Sequence, residues 1–232
     1  MPKLGIICGL RFEAAIVRGA SQGLTAHKTP LVACSGPGPE QAGKTASKLI
    51  NEGAEALLSF GLAGGLDPNL KTGTVIIPSE LAGNGAPPCD SVWAGRLEIA
   101  LKGLFKTRYA PLMAVKDVVT TIEEKRALFE SSGAAVVDME SYGIAEEAGA
   151  KGIPFTALRV ICDTADEVIP PVALQGMAWT GEVRVTATVL EALAHPIQIP
   201  DLVRLGRRTA SAKSVLRNLA GFCAERSFFA FG

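Results

Sequence analysis

The sequence predicts an α/β fold, a single three-layer domain in which helices cover both faces of a central mixed sheet. Two observations predict it. Short apolar runs, often β-branched, alternate along the chain with longer segments of helical periodicity. The short runs are apolar throughout, which is typical of strands covered on both faces. The chain has 232 residues, of which 48% are hydrophobic, so it can bury one sizeable core.

Seven apolar runs are predicted to be strands, and several of them are followed by Gly or Pro. The third run is predicted to end at Gly61, and the fourth at Pro78. The predicted strands are residues 4–8, 31–35, 56–60, 74–77, 112–115, 135–137 and 155–161.

Four segments between or after these strands have helical character. Pro39 at the first position of one of them is a helix-start signal. Residues 79–92, rich in Gly and Pro, are predicted to be a loop. A break at residues 195–200 separates a main domain, residues 1–194, from a helical extension, residues 195–232. The predicted helices are residues 39–52, 140–150, 172–193 and 201–224.

The charges are balanced overall but unevenly distributed. Lys and Arg total 23, as do Asp and Glu, which argues against a nucleic-acid-binding protein. Residues 193–232 hold six basic and two acidic residues, so residues 1–192 hold 17 basic and 21 acidic ones. No apolar run is long enough to span a bilayer, and the N-terminus lacks the features of a signal peptide. A cytoplasmic protein is therefore expected.

No metal or dinucleotide site is expected. The two histidines are far apart, and the cysteines are odd in number and form no CxxC pair. The glycine clusters at residues 36–38 and 61–65 miss the GxGxxG spacing of dinucleotide-binding proteins. A phosphate cradle at the first cluster is weakened because Pro37 and Pro39 have no N–H to donate. The cysteines are Cys8, Cys34, Cys89, Cys162 and Cys223.

Three carboxylates follow predicted strands. Glu13 comes soon after the first, Glu140 after the sixth and Asp163 after the seventh. Ligands of open α/β sheets bind beyond the carboxyl ends of the strands, where such residues can converge. For each carboxylate alone, a helix cap or a surface position is the simpler interpretation. Convergence of the three would favour a catalytic site.

Four segments, in order along residues 3–170, resemble motifs of the nucleoside phosphorylase and nucleosidase superfamily. Residues 59–78 resemble its central motif, SFGLAGGLDPNLKTGTVIIP. Residues 137–141, VDMES, resemble its ribose-binding motif, and residues 159–166, RVICDTAD, its purine-site motif. Residues 4–13 are similar to the opening strand and turn of methylthioadenosine/adenosylhomocysteine nucleosidases. The tail and the FGLAGG sequence look most like the hopanoid-associated phosphorylase branch.

The resemblance implies an enzyme that cleaves the N-glycosidic bond of a purine nucleoside. In the hopanoid branch it implies removal of adenine from adenosylhopane, which leaves ribosylhopane. Asp163 takes the place of the general acid that protonates the leaving base, so burial is expected to raise its pKa. Glu13 matches the nucleosidase glutamate that activates water.

The resemblance also implies how the sugar is held. Glu140 would accept hydrogen bonds from the ribose hydroxyls, and Met139 would pack on the sugar. The small residues Ala63 and Gly64 would let backbone groups approach the nucleoside. The implied substrate-binding residues are Leu62, Ala63, Gly64, Val119, Met139, Glu140 and Arg159.

The nucleophile distinguishes a hydrolase from a phosphorylase. Glu13 should repel a phosphate dianion, although Arg11 and Arg159 could offset the repulsion. Water is therefore the favoured nucleophile. Phosphate would be a co-substrate in the alternative reaction, and no other cofactor is expected. A salvage purine nucleoside phosphorylase, a methylthioadenosine/adenosylhomocysteine nucleosidase and a non-catalytic nucleoside-binding protein are further alternatives.

This chain departs from the nucleosidase pattern at several pocket positions. Leu62 and Cys162 stand where those enzymes carry serine. Val118 and Val119 fall where an aromatic residue would stack on the base. These changes put methylthioadenosine and adenosylhomocysteine in doubt as preferred substrates and suit a nucleoside with a large apolar 5′ substituent.

Two further expectations concern partners. A homodimer or larger homo-oligomer is implied by the resemblance. The basic extension is predicted either to pack on the domain or a second subunit, or to rest on an anionic membrane surface.

Overall fold

The computed structural model describes residues 3–83, 85–171, 173, 181 and 199–226. Seven strands and six helices are assigned within these residues. The strands are β1 (Leu4–Cys8), β2 (Leu31–Cys34), β3 (Ala56–Gly65), β4 (Val75–Ala82), β5 (Thr107–Ala114), β6 (Val136–Asp138) and β7 (Phe155–Asp163). The helices are α1 (Arg11–Ala20), α2 (Pro39–Asn51), α3 (Ser91–Leu101), α4 (Ile122–Ser132), α5 (Ser141–Lys151) and α6 (Ile199–Glu225).

The strands form one mixed sheet, which confirms the predicted fold class. Their order is β2-β1-β3-β6-β5-β4-β7, and β7 also pairs with β3. The β3–β6 and β4–β7 pairs are antiparallel and the others are parallel. Because β7 contacts both β3 and β4, the strands from β3 to β7 close into a ring, and β1 and β2 extend from it.

Helices cover both faces of this sheet. Alternate residues of β1 illustrate the two sides: Leu4, Ile6 and Cys8 join the core under α1, α3 and α6, whereas Ile7 joins the core under α2 and α5. Successive side chains of a strand point to opposite faces, so a strand buried on both faces must be apolar throughout. This explains why continuous apolar runs predict the strands correctly.

Three predicted strand boundaries are wrong by several residues. β5 begins at Thr107, well before the predicted start at residue 112. β3 continues through the glycine run, and its Gly64 is in register with Asp163 of β7. β4 continues past Pro78 to Ala82, with an irregular register between Pro78 and Leu81 where it pairs with β5. A proline is tolerated at such an irregularity, where the regular ladder of N–H donors is interrupted.

Three helices, α1, α3 and α4, are additional to the predicted ones. The prediction of a loop over residues 79–92 is wrong at both ends, because β4 fills its start and α3 begins at Ser91. Asp90 caps α3 by accepting a hydrogen bond of 2.8 Å from the backbone N–H of Trp93. The predicted helix at residues 172–193 lies, apart from residues 173 and 181, outside the described residues.

The helix predicted at residues 201–224 is present as α6 and packs on the body of the molecule. Its apolar side belongs to the same core as β1, β7 and α1. Phe222 also meets Phe105 edge to face, with ring centroids 5.9 Å apart. The buried residues of α6 are Ala212, Leu216, Leu219, Ala220, Cys223 and Ala224. The boundary between a main domain and an extension at residues 194 and 195 stays a prediction.

Within the described ranges, none of the helices combines the length and the hydropathy that crossing a bilayer requires.

The contact between α2 and α5 generates a stability prediction. A Cβ on Gly143 of α5 would clash with the backbone carbonyl oxygen of Pro39, whereas a Cβ on Gly149 of the same helix would meet nothing within 4 Å. Gly143→Ala should lower the free energy of unfolding by about 1–3 kcal/mol through overpacking. Gly149→Ala, the matched control, should raise it by about 1 kcal/mol through helix propensity. Urea denaturation measures both, and equal effects of the two variants would contradict the proposed close contact.

Candidate active site

A cavity of about 450 Å³ lies at the carboxyl ends of β1 and β7. All the residues that the sequence predicts for the site line this cavity. They are Glu13, Leu62, Ala63, Gly64, Val119, Met139, Glu140, Arg159 and Asp163. The predicted convergence of three carboxylates is therefore present. The catalytic and binding roles of these residues stay predictions.

Glu13 lies in the first turn of α1 and is only 2% exposed. Its Oε2 accepts a hydrogen bond of 2.9 Å from the N–H of Leu10, and its Oε1 one of 2.8 Å from the N–H of Leu62. Burial raises the pKa of Glu13, although Arg159 and these backbone donors oppose the rise. The Glu13 carboxylate thus caps the start of α1, contacts the backbone of β3 and has a raised pKa.

Arg159 of β7 is the buried cation at the centre of the site. Its Nη2 lies 2.7 Å from Asp138 Oδ2 and 3.2 Å from Glu140 Oε2. The same nitrogen donates to the hydroxyl of Ser59 at 2.6 Å. The Ser141 hydroxyl donates in turn to Asp138. Arg159 therefore holds the carboxylates of β6 and of the start of α5 against β3 and β7.

Glu140 comes immediately before α5 and faces the turn after β1. A Cβ on Gly9 would lie 2.7 Å from its Oε1, so only glycine fits opposite this carboxyl. Burial raises the pKa of Glu140 to about 7, with Arg159 opposing the rise and Asp138 and Glu13 adding to it. Near neutral pH the group exists in both forms, and either form can hydrogen-bond to a hydroxyl.

Asp163 ends β7 and contacts a residue that the sequence did not single out. The ammonium of Lys125, on α4, lies 2.5 Å from Asp163 Oδ2, and Lys125 is completely buried. Burial raises the pKa of Asp163, and Lys125 opposes that rise. The direction is the one predicted for a buried general acid. Asp163 also lies close to β3, because a Cβ on Gly64 would be 3.3 Å from its Oδ2.

One wall of the cavity is formed by α6. Thr209 on this helix lies 3.3 Å, Oγ1 to Sγ, from Cys162, the residue before Asp163. Arg208 forms an ion pair with Glu167 in the segment after β7. The residues of α6 that line the cavity are Leu202, Leu205, Gly206, Thr209, Ala210 and Lys213. The helix therefore borders the space in which a ligand would lie.

The rest of this side of the cavity is mostly apolar. Leu10 and Phe12 come from the start of α1, and Val118, Val119 and Ile169 from loops that follow β5 and β7. Together with the leucines of α6 they leave a chamber with few hydrogen-bonding side chains. The polar end, at Glu140 and Asp163, and the apolar end suit a ligand that is itself polar at one end only.

Comparison with known proteins identifies the family. A sequence model described as the phosphorylase superfamily matches residues 18–194 of this chain. The chain belongs to the phosphorylase superfamily. The predicted superfamily is thereby confirmed, and so is the predicted class of enzyme, one that cleaves glycosidic bonds. The hopanoid-associated branch and a homo-oligomeric state stay predictions.

Solved structures share the superfamily fold. A futalosine hydrolase mutant of Helicobacter pylori has 17% identity and a TM-score of 0.66, over 84% of this chain and 100% of its own. The 5′-methylthioadenosine/S-adenosyl homocysteine nucleosidase of Campylobacter jejuni has 19% identity and a TM-score of 0.66, over 88% and 98%. The S-adenosylhomocysteine nucleosidase of Streptococcus pyogenes, in complex with 5-methylthiotubericidin, has 21% identity and a TM-score of 0.66, over 83% and 97%.

The superfamily match covers only part of the cavity wall. Glu140, Arg159 and Asp163 lie within residues 18–194, whereas Glu13 and α6 lie outside. The superfamily match therefore gives no information about Glu13, the residue expected to activate water, or about the apolar wall that α6 forms. These two features have to be argued from the chain's own geometry.

Sequence reasoning missed Lys125 and the contribution of α6. Among the residues of α4 only Lys125 is fully buried. The apolar side of this helix is limited to a few partly buried residues such as Leu128 and Phe129, so its helical periodicity is weak. The available signal was the capping box of Thr121 and Glu124, which marks the start of the helix. Nothing in a sequence indicates that a lysine on a polar helix is turned inward.

Within the described ranges there is no group of three or more His, Cys, Asp or Glu side chains arranged to hold a metal ion. The expectation that the reaction needs no cofactor stays a prediction.

Proposed function

We propose that this enzyme hydrolyses the N-glycosidic bond of an adenine nucleoside that carries a large apolar 5′ substituent. The observation that carries the proposal is the charge balance of the buried site. With Asp163 protonated as the general acid, the buried carboxyl groups Glu13, Asp138 and Glu140 still outnumber the buried cations Lys125 and Arg159 among the described residues. This surplus of negative charge favours a cationic sugar and disfavours an anionic nucleophile.

Asp163 acts as the general acid in the proposed mechanism. Departure of adenine leaves electrons on the purine, and a proton delivered to N7 neutralises them. A carboxyl group that is to deliver this proton near neutral pH needs a pKa above its ordinary value. Burial provides this shift at Asp163. Its place at the end of β7, on the cavity wall, is consistent with contact to the base.

Glu140 and the surrounding charges act on the sugar. Cleavage gives the sugar oxocarbenium character, as in other glycoside hydrolyses. Hydrogen bonds from ribose hydroxyls to Glu140 become stronger as positive charge develops on the sugar, so they stabilise the transition state more than the ground state. Arg159 holds Glu140 in place through the 3.2 Å contact. Asp138 balances part of the positive charge of Arg159.

Glu13 is the proposed base for the attacking water. Its raised pKa makes it a better proton acceptor than an ordinary carboxylate. A phosphate dianion in its place would face the repulsion of Glu13 and Glu140. Arg159 offsets part of this repulsion, but its Nη2 is already engaged by Asp138, Glu140 and Ser59. This supports hydrolysis over phosphorolysis.

The apolar end of the cavity supports a lipid-like 5′ substituent. Leu62 on β3 and the leucines of α6 line the space away from Asp163. A methylthio group would fill little of this space, and Lys213 is the one charged side chain that the described part of α6 offers there to the amino acid of adenosylhomocysteine. Adenosylhopane has a polar nucleoside end and an apolar end of the matching chemical character, and it is the proposed substrate, cleaved to adenine and ribosylhopane.

Contact with an anionic membrane is proposed for the outer side of α6. Because the apolar side of this helix is buried in the core, its exposed side carries the contact through charge rather than by insertion. Arg207 and Arg217 are both exposed on this side, and so is Arg204, which pairs with Asp201. The proposed location is the cytoplasm, at the inner face of the membrane.

Release of adenine tests the proposed reaction. Purified enzyme with adenosylhopane should release adenine at the same rate with and without phosphate, measured by chromatography. Asp163→Asn should lower kcat by about 10²–10⁴-fold because the general acid is lost. Asp201→Asn, a matched change at an exposed site, should leave kcat unchanged. Adenine release that requires phosphate would overturn hydrolysis, and a fully active Asp163→Asn enzyme would remove Asp163 from its role.

The apolar chamber is tested at Gly206, which lines the cavity and whose added Cβ would meet nothing within 4 Å. Gly206→Leu should lower kcat/KM for a nucleoside with a long apolar 5′ chain by roughly tenfold or more, because the new side chain competes for that space. The value for methylthioadenosine should change little. Gly221→Leu on the same helix, away from this cavity, is the control. Equal effects on both substrates would contradict the chamber.

Liposome co-sedimentation tests the membrane contact. The variant Arg207→Gln/Arg217→Gln should bind anionic vesicles more weakly, because each basic residue near such a surface contributes about 1 kcal/mol. Cleavage of a water-soluble nucleoside should be unaffected, since both side chains are exposed and lie outside the cavity. Binding to anionic vesicles that is unchanged in this variant, or absent in the unaltered protein, would count against the proposal.

A further inference from the structure

Lys125 is a buried cation with every donor engaged. Its Nζ donates to Asp163 Oδ2 at 2.5 Å and to the backbone carbonyls of Thr164 and Glu167, each at 2.8 Å. An ammonium has three hydrogens, and here each has an acceptor. A lysine is rarely buried completely unless a charge partner requires it, so its position is specific to this site.

The lysine lies behind the acid rather than beside the substrate. Asp163 lines the cavity, whereas Lys125 is not among the described residues that do. Lys125 comes from α4, and its two carbonyl partners belong to the segment that follows β7. Any effect of Lys125 on the reaction must therefore pass through Asp163 or through this segment.

We propose that Lys125 is a positioning residue for base departure: it anchors one carboxyl oxygen of Asp163 and ties that carboxyl to the segment after β7. The inference rests on the proposed role of Asp163 as the general acid. With Oδ2 held from behind, the carboxyl has one orientation relative to the cavity. The contacts with the carbonyls of Thr164 and Glu167 fix the backbone that follows Asp163. The acid is therefore held both through its side chain and through the adjoining backbone.

Lys125 also acts on the proton affinity of the acid. Burial favours the neutral carboxyl, and the ammonium favours the carboxylate. Arg208 of α6 also lowers the pKa of Asp163, although it is paired with Glu167 and only partly buried. An acid with too high a pKa delivers its proton poorly. The buried cation keeps the proton on Asp163 transferable.

Removal of the charge gives a signed prediction. Activity requires protonated Asp163, so kcat/KM falls as the pH rises through its pKa. Lys125→Met removes the nearest cation, which raises that pKa and moves the alkaline limb of the kcat/KM profile to higher pH. At its optimum, kcat should fall at least tenfold because the carboxyl is no longer anchored, while KM changes little. Lys125→Arg, which keeps the charge, should leave the alkaline limb near its original pH.

A double-mutant cycle separates positioning from a general effect on folding. In the Asp163→Asn background, Lys125→Met should cause no further loss of kcat, because the group it positions is gone. This double variant contains no unpaired buried charge, so it is expected to fold better than either single variant. Circular dichroism checks the fold of each protein.

The outcomes distinguish this inference from the proposed function. If Asp163→Asn is fully active, the proposed function fails. If Asp163→Asn is impaired but Lys125→Met lowers kcat equally in both backgrounds and leaves the pH profile in place, Lys125 is only structural and the inference fails. Loss of activity confined to the background with Asp163, together with the shifted limb, supports it.

Discussion

The ion pairing of Arg159 is the interaction on which the rest of the site depends. A guanidinium that is 1% exposed is unfavourable in a protein interior unless carboxylates and other acceptors surround it. Asp138, Glu140 and Ser59 do so here, and they come from three different elements. One cation, Arg159, thus holds two carboxylates together. Their combined negative charge is greater than its positive charge, as the proposed reaction requires. Burial raises the pKa of Glu13 and of Glu140, and Arg159 offsets only part of this rise.

Steric constraint complements this electrostatic one. Three carboxylates of the site lie against glycines, with Glu140 at Gly9, Glu13 at Gly61 and Asp163 at Gly64. A Cβ at any of these glycines would come within 2.7–3.3 Å of a carboxylate oxygen. Of these glycines, Gly64 was expected to let backbone groups approach the nucleoside. In the structure the three glycines let the three carboxylates approach the backbone, which brings side chains from α1, from the residue before α5 and from the end of β7 into one small cavity.

The parts of the fold that sequence predicts are those set by periodicity and by general topology. Seven strands follow from apolar runs, and the convergence of Glu13, Glu140 and Asp163 follows from the rule that strand ends share an edge. Predictions from local breakers fail at Gly61 and Pro78, because strand length there is decided by pairing with β7 and β5. The inward position of Lys125 is a tertiary fact without a local signal.

The last helix, α6, contributes both to the hydrophobic core and to the wall of the cavity. The C-terminal half of α6 is anchored in the core by Leu216 and Leu219, while its N-terminal half borders the cavity with Leu202 and Leu205. A helix held firmly at one end can present an apolar wall at the other without a second domain. Because the same helix contacts Cys162 and Glu167, the wall is also attached to the segment that carries Asp163. The wall proposed to select the 5′ substituent and the group proposed to protonate the base are therefore parts of one packed unit, so a change in one is expected to alter the other.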